Sequence, residues 1–177
     1  METTSLSTSR LVLSVPAAED AEAIFTIAGD RATVAHNPSD LLADVVEAQE
    51  LVNRWIQHWR DRGLGYWCVR ETGQPRVIGY CGVKAMSAHG QPVLNLIYRF
   101  APDVWGRGYA TEAATAVVAG VAERHPDATI IARVRPANQG SQNVALKAGL
   151  RRDPAMDEPG EDGLDLAYTN RVAASSR

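Results

Sequence analysis

The sequence predicts an α/β (α+β) fold, built on a mixed and mostly antiparallel sheet with helices on both faces. Three β-prone segments in the middle of the chain are joined by short connections, which is typical of antiparallel strands. Further along, a segment with helical spacing separates two β-prone segments, a pattern that favours one parallel pair. The 177 residues, of which 45% are hydrophobic, fit a single domain over residues 1–177 with one core.

The elements of the N-terminal half follow from apolar spacing and from the residues that interrupt it. A β-prone segment at 10–15 is the first strand, and a helical repeat at 21–28 is the first helix. A second helix begins after Ser39 or Asp40, either of which can cap it with a side-chain acceptor, and it ends before Gly63. Its apolar stripe consists of Val45, Ala48, Val52, Trp55, Ile56 and Trp59.

The remaining elements are predicted from the same signals. We expect strands at 66–70, 76–84 and 93–100, a helix from a glycine-rich turn to about Arg124, a strand at 129–134, a short helix at 138–148, and two final strands at 150–152 and 164–168. The predicted order is therefore β-α-α-β-β-β-α-β-α-β-β.

Composition excludes several classes of protein. A net charge of -3 and a pI near 5.8 give no sign of a nucleic-acid-binding surface. The longest apolar stretch, at 113–122, is too short to cross a bilayer, and the polar residues 1–10 contain no secretory signal. The histidines are scattered, and both Cys68 and Cys81 lie in apolar, strand-like segments. We therefore expect no metal site, two buried thiols and a cytoplasmic location.

The segment Gly106-Arg107-Gly108 stands between a predicted strand and a helix that starts with small residues. Glycine allows the backbone to approach a ligand closely, and the first N–H groups of a helix lack intrahelical partners. Together with the helix dipole they favour an anion, most often a phosphate. Arg107 adds a cation that could reach a phosphate oxygen. A plain strand-to-helix turn is the alternative, since a lone Gly-x-Gly is a weak signal.

Two other phosphate motifs fit this segment less well. The P-loop ends in Gly-Lys-Ser or Gly-Lys-Thr, whereas this turn ends in Gly-Tyr-Ala. The dinucleotide-binding fingerprint requires an acidic residue about 20 residues later, a spacing that Glu123 or Asp127 fits. It also requires a doubly wound sheet, and the hairpin-rich N-terminal half argues against one.

The decapeptide at 104–113, Val-Trp-Gly-Arg-Gly-Tyr-Ala-Thr-Glu-Ala, resembles the acetyl-CoA-binding turn of the GNAT superfamily of N-acetyltransferases. Gly108 and Ala110 match the superfamily signature. Trp105 replaces its Gln or Arg, as is usual in the subgroup of ribosomal-protein N-terminal acetyltransferases. Four further segments resemble that subgroup in the right order, namely 8–13, 77–82, 134–141 and 147–150.

The resemblance implies a function, a cofactor and a split in the sheet. The protein would transfer an acetyl group from acetyl-CoA to a primary amine by direct attack in a ternary complex, without a metal. The sheet would splay at its centre between strands 93–100 and 129–134. The implied contacts with the pantetheine arm are Leu96, Ile97, Tyr98, Asn138 and Asn143, and those with the pyrophosphate are Val104, Trp105, Gly106, Arg107, Gly108, Tyr109, Ala110 and Thr111.

The resemblance also implies catalytic residues. Ser141 matches the residue that is proposed in the subgroup to protonate the leaving thiolate, so it is the candidate general acid and a cofactor contact. The alternative is a serine that bonds only its own helix backbone. Many superfamily members use a tyrosine four residues further on, where this chain has Ala145. His36, in the loop before the second helix, is the candidate base, with a solvated loop histidine as the alternative.

The acceptor amine is constrained by Asn95, which stands where the subgroup often has a glutamate. An amide cannot act as a base, and an α-amine with a pKa of about 7.7–8.0 needs less help than a lysine side chain at about 10.4. The expected acceptor is therefore a protein N-terminus or a small amine, and the acidic loop at 157–162 could attract a cationic one. The alternative is a catalytically weak or silent acyl-CoA-binding domain. A homodimer is common in the family.

Overall fold

The computed structural model describes residues 5–171, so the first four and the last six residues of the predicted domain lie outside it. Within this range the strands form a sheet in the order β1-β2-β3-β4-β5-β6-β9-β7, with β8 paired to β9. The strands are β1 Ser5–Ser7, β2 Leu11–Ser14, β3 Tyr66–Glu71, β4 Val77–Ala88, β5 Gln91–Phe100, β6 Ile130–Val134, β7 Arg151–Arg152, β8 Glu158–Gly160 and β9 Gly163–Thr169. The helices are α1 Ala21–Ala28, α2 Val45–Arg62, α3 Tyr109–Arg124 and α4 Gln139–Lys147. All pairings are antiparallel except that of β5 with β6, which confirms the predicted mixed sheet.

The sheet contains two short strands that apolar alternation does not predict, and one hairpin that is longer than predicted. The sequences of β1 and β8 are Ser-Leu-Ser and Glu-Pro-Gly, too short and too polar to show a strand pattern. The β4–β5 ladder extends to the pair of Ala88 with Gln91, around a turn at His89 and Gly90. Both turn residues have positive φ, at 48° and 73°, as a tight two-residue hairpin turn requires.

The cap of α2 differs from the prediction. Ser39 and Asp40 lie in a separate short 3₁₀ turn that starts at Pro38, and the chain between that turn and α2 is not helical. Asp44 is the N-cap instead, and its carboxylate accepts a hydrogen bond of 2.9 Å from the N–H of Glu47. The predicted cap lies four or five residues too early, because Ser39 and Asp40 belong to a separate 3₁₀ turn that Pro38 starts.

The substitution Asp44→Ala should lower the free energy of unfolding by about 1 kcal/mol, because it removes the acceptor for a free N–H at the start of α2. Urea denaturation measures this directly. Asp44→Asn keeps the acceptor and is the matched control, for which we expect a stability close to that of the unsubstituted protein. A loss in the asparagine variant as large as in the alanine variant would contradict the capping role.

Helices cover both faces of the sheet, as predicted. On one face, Trp55 of α2 packs against Tyr80 of β4 with 4.9 Å between ring centroids. On the other face, Tyr98 pairs across the sheet with Cys81, the neighbour of Tyr80, and its hydroxyl contacts Ser141 of α4. Since successive side chains of a strand point to opposite faces, α2 and α4 lie on opposite sides.

The sheet opens between β5 and β6, as the family resemblance implies. The two strands pair only where Leu94 and Asn95 lie beside Ile130 and Ile131. Beyond these pairs β5 continues to Phe100 and β6 continues to Val134 without further pairing. Among residues 5–171, no strand lies beside this edge of β5, in the centre of the molecule.

The remaining expectations concern thiols, metals and membranes. Cys68 and Cys81 are free and buried, as predicted, and burial raises the pKa of both thiols. Residues 5–171 contain no cluster of three or more His, Cys, Asp or Glu side chains suited to a metal ion. No helix in the described part of the chain is long and apolar enough to span a membrane.

Candidate active site

A cleft of about 880 Å³ passes through the opening between β5 and β6. One half is lined by the glycine-rich turn, the start of α3 and the first turns of α4, and we call it the cofactor half. The other half is lined by the α1–α2 loop and by the β8–β9 hairpin, and we call it the acceptor half. The splayed end of β5 lies between the two halves. The cleft therefore joins two binding regions at the point where the sheet opens.

The glycine-rich turn adopts a conformation that only glycine takes up readily. Gly106 has φ 77° and Gly108 has φ 79°, both in the left-handed region. A Cβ atom at Gly106 would have no heavy atom within 4 Å. The two glycines thus satisfy a backbone requirement and also leave open space in front of the turn.

The backbone N–H groups of residues 106–111 donate no hydrogen bond to any group within residues 5–171. Helix α3 begins at Tyr109, with Gly108 as its N-cap and without a side-chain cap. Apart from Arg107, the residues that carry these donors line the cleft, at the positive end of the helix dipole. The arrangement matches a binding site for a phosphate or pyrophosphate.

Three side chains anchor this turn. Val104 and Tyr109 are buried in the core. The indole N–H of Trp105 donates a hydrogen bond of 2.8 Å to the carbonyl oxygen of Phe100, although its ring remains half exposed. Trp105 therefore ties the turn to the last residue of β5, next to the opening of the sheet.

Arg107 is placed differently from the expectation that its side chain reaches a phosphate. Its guanidinium is exposed and lies 3.9 Å from the carboxylate of Glu71, and it does not line the cleft. Only the backbone of Arg107 contributes to the row of free N–H groups. The neighbouring Ala110 and Thr111, in the first turn of α3, do line the cleft.

The residues of β5 alternate in the direction of their backbone groups. Two hydrogen bonds show which residues point to which side. The Ala101 N–H donates to Ile78 of β4, and the Leu94 N–H donates to Thr129, which precedes β6. In an antiparallel ladder, successive residues direct their N–H and C=O groups to opposite sides. Leu96 and Tyr98 thus present theirs to the opening, whereas those of Ile97 point to β4. A pantetheine arm would accordingly bond with Leu96 and Tyr98, while Ile97 lines the cleft through other atoms.

Ser141 and Tyr98 form a pair of hydroxyl groups between α4 and β5. The Ser141 hydroxyl donates to the Tyr98 oxygen at 3.0 Å, and the Tyr98 hydroxyl donates to the Ser141 carbonyl at 2.7 Å. Burial raises the pKa of Tyr98, so this phenol stays protonated near neutral pH. Ser141 is thus bonded to a side chain on another element, which sequence reasoning did not foresee.

Asn138 and Asn143 also line the cofactor half. Asn138 is the N-cap of α4, and its carbonyl oxygen accepts a hydrogen bond of 3.0 Å from the Ser141 N–H. Its amide N–H groups remain available to a ligand. Asn143 is on the exposed side of α4, where Gln139 donates to it at 3.4 Å.

The α1–α2 loop forms one wall of the acceptor half and is held by two contacts. Asp40 accepts a hydrogen bond of 2.6 Å from Arg99 of β5, and the hydroxyl of Ser39 donates to Asp162 at 2.6 Å. His36 lines this half on the same loop, together with Glu161 of the β8–β9 hairpin. The loop therefore spans the cleft from β5 to the hairpin.

Asn95 lies at the point where β5 and β6 separate. Its side-chain oxygen is buried and has no hydrogen-bond partner in the described part of the chain, and the residue lines the cleft. A buried acceptor without a partner is costly. A donor such as an amine in the acceptor half would satisfy it.

The turn, the open strand β5 and the α4 serine all lie within a segment that matches a known family. The family described as acetyltransferase (GNAT) domain matches residues 10–151. The chain belongs to this family. A curated relative, the uncharacterized protein YkkB of Bacillus subtilis (strain 168), is 29% identical over 109 residues, which are 62% of this chain and 63% of YkkB. This GNAT chain therefore aligns with less than two thirds of that relative.

Solved structures of acetyltransferases show the same fold. The acetyltransferase from Agrobacterium tumefaciens str. C58 superposes with a TM-score of 0.77 at 25% identity, covering 94% of each chain. RimL, the ribosomal L7/L12 alpha-N-protein acetyltransferase, was solved in complex with coenzyme A. It superposes with a TM-score of 0.74 at 16% identity, covering 95% of this chain and 98% of RimL.

Proposed function

We propose that this GNAT protein transfers the acetyl group of acetyl-CoA to a primary amine. The row of free N–H groups at residues 106–111, beside the unpaired edge of β5, is the observation that carries the proposal. A pyrophosphate fits the N–H groups, and an extended arm fits the exposed edge of the strand. The complex of RimL with coenzyme A supports acetyl-CoA as the co-substrate.

The two halves of the cleft suit a direct transfer. The backbone groups of Leu96 and Tyr98 would hold the pantetheine arm, and the thioester would then lie at the opening of the sheet, which both residues line. An N–H group of β5 that lies near the thioester oxygen would stabilise the charge that develops there. The amine enters from the acceptor half, where Glu161 and Asp162 supply negative charge for a cationic group.

The residues on α4 and β5 account for the proton that the leaving sulfur takes up. Ser141 donates its proton to the sulfur as the carbon–sulfur bond breaks. The amine nitrogen releases one proton to water, and water returns one proton to the Ser141 oxygen, so protons balance over the reaction. Tyr98 holds the serine hydroxyl in place and stays neutral. Asn95 offers the amine a hydrogen-bond acceptor but no base, which favours an amine that is partly neutral near pH 8. His36 lines the same half and is the candidate base.

The proposed acceptor is a protein N-terminus or a small amine of low pKa. RimL is named for acetylating the N-terminus of a ribosomal protein, and the open acceptor half supports an acceptor of that kind here. A cytoplasmic location belongs to the same proposal, in agreement with the two free thiols. A homodimer stays a prediction from the family.

A thiol-release assay with acetyl-CoA tests the proposal. The panel contains peptides with a free α-amine, the same peptides with a blocked α-amine and a free lysine, and small amines. We expect amine-dependent release of CoA, faster with free α-amines than with lysine alone. Tight binding of acetyl-CoA without release over the whole panel would favour a silent acyl-CoA-binding domain, and absence of acetyl-CoA binding would refute the proposal.

A further inference from the structure

The first turn of α3 contains a carboxylate that is bonded to the loop between β1 and β2. One oxygen of Glu112 accepts hydrogen bonds from the Thr8 hydroxyl at 2.6 Å, the Ser9 hydroxyl at 3.1 Å and the Arg10 backbone N–H at 2.9 Å. The other oxygen accepts from the Arg10 side-chain Nε at 2.7 Å. These contacts join parts of the chain that are about a hundred residues apart, next to the row of free N–H groups.

Arg10 also contacts the glycine-rich turn itself. Its Nη1 donates a hydrogen bond of 3.0 Å to the carbonyl oxygen of Arg107, between the two glycines. The guanidinium lies 4.6 Å from the centre of the Tyr109 ring, and a Cβ atom at Gly108 would be 3.5 Å from it. One side chain thus connects the middle of the turn with the first turn of α3.

The charge of Glu112 gives Arg10 a second effect. Partial burial opposes ionisation, but the hydrogen bonds from Thr8, Arg10 and Ser9 outweigh it and lower the pKa of Glu112, so the residue is ionised near neutral pH. A carboxylate in the first turn of α3 would repel a pyrophosphate bound at the N-terminus of the same helix. Arg10 forms an ion pair with it at 2.7 Å and cancels that charge.

We propose that Arg10 is a positioning residue for the pyrophosphate turn: it fixes the turn through the Arg107 carbonyl and neutralises Glu112 beside the bound anion. The inference rests on the proposed function, because it assigns a role in binding CoA. Arg10 lies outside the lining of the cleft and acts through the backbone of the turn. Neither Arg10 nor Glu112 lines the cleft beside β5, so a pantetheine arm bound there should not contact them.

Binding of CoA and of pantetheine to the variant Arg10→Gln tests the proposal. Calorimetry should show CoA binding weakened on the order of 10-fold, the size expected when charge-assisted hydrogen bonds are lost. Pantetheine, which lacks the pyrophosphate, should bind with unchanged affinity in an NMR titration. The second substitution Glu112→Gln in the Arg10→Gln background should restore part of the lost affinity, because it removes the unpaired negative charge.

The matched control is Arg76→Gln. Arg76 forms an ion pair of 2.6 Å with Asp103, close to the turn but away from the cleft, so its loss should leave CoA binding unchanged. Unaltered CoA binding by Arg10→Gln would overturn the positioning role, and an equal loss for pantetheine would mark general damage and overturn it too. A double variant as weak as the single variant would refute the neutralising effect. If the unsubstituted protein binds no CoA, the proposed function falls together with this inference.

Discussion

Replacing Gly108 with tryptophan should weaken CoA binding by at least about 100-fold, which corresponds to roughly 2.7 kcal/mol. Gly108 is the N-cap of α3 and lines the cleft. An indole at this position would start 3.5 Å from the Arg10 guanidinium that contacts the turn, and it would shift the turn and its free N–H groups from the φ of 79° at Gly108. Isothermal titration calorimetry with CoA measures the effect.

The control for this substitution is Gly73→Trp. Gly73 has φ 77° and open space around its Cβ position, in the connection between β3 and β4. Both variants carry a similar backbone strain, on the order of 1–2 kcal/mol, so their melting temperatures should fall by similar amounts. CoA binding should be lost in Gly108→Trp alone. Affinity retained in a folded Gly108→Trp variant would contradict the assignment of the turn.

The second large effect is expected for Ser141→Ala, whose turnover number should fall about 100-fold while the KM for acetyl-CoA changes little. General acid catalysis contributes about 10²–10⁴-fold, and the methyl group cannot protonate the leaving sulfur. Initial rates of thiol release with the fastest acceptor of the amine panel give both the turnover number and the KM for acetyl-CoA. Unchanged turnover would remove Ser141 from the mechanism.

Tyr98→Phe separates the hydroxyl pair. It removes the bond that orients the Ser141 hydroxyl, and turnover should fall by about 10-fold, as for the loss of a hydrogen bond in a positioned group. The matched control is Tyr168→Phe. The Tyr168 hydroxyl donates a hydrogen bond of 3.0 Å to Gln142 of α4, the helix that carries Ser141, but Tyr168 does not line the cleft. Equal losses of turnover in the two variants would show that the loss does not depend on the bond between Tyr98 and Ser141.

Local sequence signals predicted most of the fold because apolar spacing and turn residues act over short distances. The four helices, the central hairpins and the parallel pair were all predicted, and the order of matching segments implied the split sheet. Short polar strands such as β1 and β8 were missed because their pairing depends on neighbours and not on their own residues. Asp44 was missed as a cap because Pro38 begins a separate turn.

The sequence could predict the parts of the candidate site that carry a family motif, but not the contacts that depend on packing. Residues of the turn other than Arg107, and residues of α4, line the cleft. The directions of Leu96, Ile97 and Tyr98 depend on the register of the β4–β5 ladder, which a sequence pattern does not specify. The bond of Tyr98 with Ser141 depends on the packing of α4 against β5. Contacts between residues distant in sequence, such as those of Arg10, leave no local signal.

A crystal structure with CoA tests the central claim most directly, namely that the N–H groups of residues 106–111 bind the pyrophosphate. We predict pyrophosphate oxygens within about 3 Å of these nitrogens, and a pantetheine arm bonded to the backbone of Leu96 and Tyr98. The sulfur should lie near Ser141. A pyrophosphate bound away from this turn, or an arm that leaves the edge of β5 free, would contradict the account.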